Sequence, residues 1–199
     1  MADDSIHLSR DAAPRPDGPS WWYPGAPGAR QAEPEEAREV EGSTRYPRGM
    51  DARAVASELT ARLAQLGIGH SVEVVQGAQA DGVLVRSPYA DAVTVVDNDG
   101  KYTLVARGGD GGAKLVDTEL ASEAPVELLA LYLAFHSLWA MKRTVDRHGA
   151  EAVARRMPNL LTHQQLVITF IAASLTSPED GIRTYATGLM TTATNMLRA

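Results

Sequence analysis

Apolar residues recur at Val55, Leu59, Leu63 and Leu66, the one-face spacing of an amphipathic helix. Asp51 supplies an N-cap carboxylate ahead of this run, and Gly67 and Gly69 end it, so the pattern predicts a helix over 51–66. The period then shortens. Ser71 to Val75, Gly82 to Arg86, Ala92 to Val96 and Tyr102 to Ala106 are short, rich in Val and Thr, and separated by turn residues. They predict four strands of an antiparallel meander, with a short fifth at Lys114 to Asp117. Asp97-Asn98-Asp99-Gly100 is the clearest turn, because a tight hairpin needs positive φ and these residue types adopt it at little cost.

From Pro125 the period lengthens again and the chain reads as helix to its end. Pro125 suits a first helical position, and Leu128, Leu131, Tyr132, Phe135, Leu138 and Trp139 form so broad an apolar face that this helix needs cover on most sides. Gly149 ends it. A short helix over 150–157 follows, then a turn at Pro158-Asn159 and a helix from Thr162 to Leu175 opened by a Thr162/Gln165 capping box. The last helix starts from Ser177-Pro178-Glu179-Asp180. The predicted fold class is α+β: an N-terminal extended arm, one helix, a small antiparallel meander of four or five strands, then a C-terminal group of about four helices. The first helix and the helix over 125–147 are expected to cover one face of the meander. The last two helices carry long apolar stripes for which the chain offers few obvious partners, so self-association is expected to cover them.

Before Met50 the pattern fails. Seven of the eleven prolines fall there, and Ile6, Leu8 and Val40 are the only branched aliphatics. Such a segment buries too little apolar surface to offset its ordering entropy, so residues 1–48 are predicted to be a disordered or extended Pro-rich arm. Residues 49–199 are predicted to form a single α+β domain, with helix and meander in 51–120 and a helical part in 125–199. Within the arm, Trp21, Trp22 and Tyr23 stand between Pro19 and Pro24. The prolines favour extended or polyproline-II backbone, which presents rings to a groove, so Trp21, Trp22, Tyr23 and Pro24 are the candidate partner-binding residues. Docking on another chain, a copy or a different protein, is favoured over folding back. The acidic run Glu33 to Glu41 reads as solvated charge.

Composition narrows the function classes. The net charge of -6 argues against a surface built wholly for polyanions, although a local basic patch remains open. The absence of Cys excludes disulfides, Fe-S clusters, thiolate zinc sites and cysteine nucleophiles. Arg dominates the basic residues, with lysines only at 101, 114 and 142, a usage that suggests a high-GC bacterium or its phage. Met1-Ala2-Asp3-Asp4 lacks the basic and apolar regions of a secretory signal, so a cytoplasmic product is expected, or a virion component if phage-encoded. Leu128 to Met141, about fourteen residues interrupted by His136, falls short of the roughly 20 needed to cross a bilayer.

Candidate chemistry is sparse. Gly108 to Gly112 with Lys114 superficially suits a phosphate, but no Ser or Thr follows the Lys and the next element reads as strand, with no helix N-terminus for the anion. Asp97, Asp99 and Gly100 fit a hairpin turn better than a calcium loop, which needs a closing bidentate Glu. His148 and Glu151 are two ligands, too few for a metal site, and His136 is expected to be hydrogen-bonded in the core. No catalytic residue, metal ligand or cofactor is assigned, and the balance is against an enzyme. Lys142, Arg143, Arg147, Arg155 and Arg156 concentrate positive charge where a long helix meets a short one, either as helix-end charge or as an electrostatic patch. Glu151 to Met157 resembles the first helix of helix-turn-helix modules. The following helix, however, carries Leu166, Val167, Ile168, Phe170 and Ile171 and no basic residue, which suits a core rather than a groove.

The leading expectation is a non-enzymatic assembly or adaptor protein that self-associates and docks a partner or neighbouring subunit through its arm. A phage virion or assembly component fits that plan. A nucleic-acid-binding regulator using the Lys142 to Arg156 patch is the alternative, and an enzyme of unrecognised class is the third.

Overall fold

A computed structural model describes residues 50–77, 81–107 and 113–198. Trp21, Trp22, Tyr23, Pro24, the acidic run and the Gly108 to Gly112 loop lie outside the described residues. The element order is α1 (Ala52–Ala64), β1 (Ser71–Val75), β2 (Gly82–Arg86), β3 (Val93–Asn98), β4 (Lys101–Arg107), β5 (Ala113–Ala121), α2 (Val126–His148), α3 (Ala150–Arg156), α4 (Leu160–Ala173) and α5 (Asp180–Arg198), with a 3-10 turn at Ser174–Thr176 before α5. The chain is α+β, as the periodicity predicts.

Local chemistry explains the ends of these elements. The Asp51 carboxylate accepts from the Arg53 and Ala54 amides and caps α1. The β3–β4 hairpin turns through Asp99 and Gly100, both at positive φ (54° and 76°), and the Gly100 amide donates to the Asp97 carboxylate at 2.9 Å. Pro125 is the residue before α2 rather than its first residue, with extended ψ of 132°. α4 starts at Leu160, two residues ahead of the predicted capping box. Leu160 is fully buried, and the His163 amide bonds the Asn159 carbonyl, so core packing rather than a side-chain cap sets this terminus. β5 runs past the predicted Asp117 because a bulge opposite β4 absorbs the break in alternation. Glu119 there adopts φ of 59°, the Thr118 hydroxyl donates to the Tyr102 carbonyl on β4, and the Asp117 carboxylate accepts from the Glu119 amide.

The sheet is a meander of order β1-β2-β3-β4-β5, every neighbour antiparallel. Its register puts Val83, Val95 and Leu104 in one cross-strand row and Val85 and Val93 in the next, all buried and all on one face. α1 packs on β1 and β2 at this face, and α2 reaches β5. α2 is the central helix: α1 lies along one side of it, and α3, α4 and α5 pack elsewhere on it. Leu129, Leu131 and Leu138 are fully buried as a result.

The apolar stripes of α4 and α5 find partners inside the chain. Val167 and Ile171 on α4 and Ile182, Ala186 and Ala193 on α5 are buried where these helices meet each other and α2. What remains on the surface is narrower than the sequence suggests, namely Leu161, Leu166, Leu175 and Leu197. Among the described residues no helix is long and apolar enough to cross a membrane.

Candidate functional site

One face of α2, from His136 to Arg147, meets the β2–β3 loop. His136, Trp139, Ala140, Arg143, Thr144 and Arg147 recur at helical three- and four-residue spacing and line one wall of a cleft of about 410 Å³. Pro88 to Asp91 form the facing wall.

The loop wall is fastened at both ends. The Tyr89 amide donates to Ser87 Oγ at 3.3 Å, and Ser87 Oγ lies 3.0 Å from Ser137 Oγ on α2. The Tyr89 hydroxyl is 2.6 Å from His163 Nδ1 on α4, and the two rings meet edge to face at 5.5 Å. Burial raises the Tyr89 pKa, which keeps the hydroxyl protonated.

Behind the loop, His70 joins the same network. Ser137 donates to the Leu133 carbonyl, which leaves its oxygen to accept from His70 Nε2 at 3.0 Å and from Ser87. This assignment makes His70 the neutral Nε2–H tautomer and leaves Nδ1 buried without a hydrogen-bond partner. Burial lowers the His70 pKa to about 4, since a proton on Nδ1 would put charge where nothing accepts it. Ser137 is 1% exposed and its proton is committed to a carbonyl. The His70–Ser137–Ser87 contact is therefore an anchor for the loop, and it has no free hydroxyl to present to a substrate.

On the helical wall the Arg143 guanidinium lies 4.5 Å from the Trp139 ring centroid, a cation–π contact. His136 stacks against Trp139 with ring centroids 6.4 Å apart. Its pKa is lowered, first by burial and then by Arg143, with Asp91 opposing. His136 thus stands at the cleft wall stacked on an aromatic ring, where the sequence suggested a hydrogen-bonded core histidine. Trp139, expected in the core, is half-buried and lines the cleft.

Of the five basic residues singled out in the sequence, Arg143 and Arg147 line this cleft. The two are one turn apart, and among the described residues neither has a carboxylate within ion-pair distance. Lys142, one position round the helix, pairs with Asp146 at 2.6 Å. Arg155 pairs with Glu151 at 3.6 Å on α3, and Arg156 is exposed there. Sequence reasoning missed Tyr89, Ser87, His70 and His163. For Trp139, Arg143 and Arg147 the four-residue spacing was the available signal. Asp91 partly offsets the two arginines, yet the cleft still carries net positive charge, two planar fork donors and an aromatic floor. That combination suits a carboxylate-bearing ligand. Among the described residues no group of three or more metal-ligating side chains occurs.

No protein-family model, curated protein or solved structure matches this chain.

Proposed function

We propose that this is a non-enzymatic assembly or adaptor protein that associates with copies of itself and grips a neighbouring subunit or partner through its N-terminal arm. The observation that supports this most directly is the cleft, in which Arg143 and Arg147 have no ion-pair partner among the described residues while the loop opposite is tied to α2 and α4. Two arginine forks one helical turn apart, one of them stacked on Trp139, can receive a carboxylate. The chain supplies carboxylates at Glu33, Glu35, Glu36, Glu39 and Glu41. In this reading the arm of one subunit offers these residues to the cleft of another, the plan used by virion and secretion-assembly components, a comparison by architecture alone. Membership of a phage virion is part of the same proposal.

Light scattering on the full chain, on a chain lacking residues 1–48, and on the Arg143→Glu/Arg147→Glu double variant tests it. The full chain is expected to run as a dimer or larger species, and both alterations to shift it toward monomer. A monomer in all three, with unaltered capture of partner protein, overturns the proposal. The alternative reading, nucleic-acid binding by the same two arginines, predicts instead a mobility shift that weakens steeply with salt.

A further inference from the structure

The sheet has a second face. Glu73, Leu84, Thr94, Val105 and Leu115 are register partners from β1 to β5 and form one continuous row across it, with Val96 and Thr103 in the adjacent row. The helices bury the other face, where Val83, Val85, Val93 and Val95 are at most 5% exposed. On this face Leu84, Thr94, Val96 and Val105 are only half-buried, and Leu115 is 52% exposed. The face is mixed: Leu84, Val96, Val105 and Leu115 form its apolar centre, interrupted by Thr94 and by Thr103, which is 3% exposed. Its apolar centre is framed by ion pairs, Glu73–Arg86 at 2.7 Å toward one edge and Lys101–Asp117 at 3.7 Å toward the other. An apolar centre with a polar rim is the anatomy of a contact surface.

We infer that this face receives Trp21, Trp22 and Tyr23 of the arm. The inference rests on the arm-docking reading above and names the surface that the rings occupy. Size selects the occupant. Leu84, Val96, Val105 and Leu115 lie on four neighbouring strands about 4.8 Å apart, so the apolar centre is small. It falls short of the roughly 800 Å² per partner of a standard body-to-body interface, but three aromatic side chains of about 150–250 Å² each would cover it. Connection fits as well. The chain leaves the described residues at Met50, whose amide donates to the Asp97 carboxylate at 3.2 Å, at the hairpin end of the central strand. The residues from Tyr23 to Met50 reach roughly 90 Å when extended, against a sheet about 20 Å wide. Rings from the same subunit or from an adjacent one can therefore reach the face.

Methyl NMR on the full chain tests the inference. Aromatic rings seated on the face shift the methyl protons of Leu84, Val96, Val105 and Leu115, and the Trp21→Ala/Trp22→Ala/Tyr23→Ala variant is expected to lose those shifts while the core methyls of Leu59 and Ile171 stay put. Leu115→Glu, at an exposed position that leaves the core intact, is expected to move tryptophan emission to longer wavelength. Mixing labelled ring-free variant with unlabelled native chain restores the shifts if the rings come from another copy, and leaves them absent if they come from the same one. Either result, after loss in the variant, supports the inference. Unmoved methyls in the ring-free variant overturn it. The arm-docking reading survives that outcome if removal of residues 1–48 still changes the assembly state, and falls with it if nothing changes.

Discussion

The hydroxyl of Tyr89 lies 2.6 Å from Nδ1 of His163, so the loop between two adjacent strands is tied to a helix that begins some seventy residues later. Tyr89→Phe removes this bond and keeps the ring. A stability loss of about 1 kcal/mol is expected, measured as a lower urea midpoint at unchanged slope. Full stability in Tyr89→Phe would show that the bond is not holding the loop.

His70 links stability to acidity. Its folded pKa, lowered by burial to about 4, lies below the ordinary value of 6.5 that applies in the unfolded chain. Between those two values the unfolded chain takes up a proton that the folded one refuses, so this contribution is intact above about pH 6.5 and is lost as pH falls toward 4. The full shift corresponds to roughly 3 kcal/mol, and solvent screening of a partly buried ring reduces the expected loss to about 1–2 kcal/mol. Urea midpoints of the native chain and His70→Gln, compared from pH 7 to pH 4, should converge as pH falls. Parallel pH profiles would exclude His70 as the source.

Gly82 is required by its neighbours on the open face of the sheet. A Cβ there would stand 2.8 Å from Thr94 Cγ2 and 3.1 Å from the Val95 carbonyl oxygen. The contact is with a β-branched methyl and with backbone, neither of which can swing aside. Gly82→Ala is expected to destabilise the chain by about 1–3 kcal/mol in thermal or urea melts, whereas Gly188→Ala, where nothing lies within 4 Å of the added Cβ, should not destabilise it.

The cap on α1 gives a local test of a similar kind. Asp51→Ala removes the acceptor for two amides and should cost about 1 kcal/mol, while Asp51→Asn should retain most of the stability. Equal losses in both variants would point to charge rather than capping.

The fold was largely legible because element type follows from period, and the period changes sharply at Leu66, at Ser71 and again at Pro125. The misjudged boundaries have particular causes. Thr162 and Gln165 form an acceptable capping pattern, but fully buried Leu160 draws the start of α4 two residues earlier. The alternation of β5 is broken at Glu119 by a bulge that sequence spacing cannot reveal.

The cleft was only half legible. Arg143 and Arg147 sit one turn apart on one helix, so their pairing follows from spacing, and Lys142 misleads because an adjacent residue points about 100° away. Ser87 and Tyr89, His70 and His163 come from three segments, and their contacts, with Ser137 of α2 included, span 50, 67 and 74 residues of sequence. No periodicity connects such positions. They become neighbours only when α2 and α4 pack.

The strand order β1-β2-β3-β4-β5 also governs how the molecule forms. Each strand pairs only with its neighbours in sequence, so the sheet assembles by short hairpin closures and does not wait for a distant strand to arrive. The contacts between distant segments are concentrated on α2, which packs against α1, α4 and α5. Mutations at fully buried positions of α2, such as Leu131 and Leu138, should therefore slow folding more than changes in the hairpin turn at Asp99-Gly100 do.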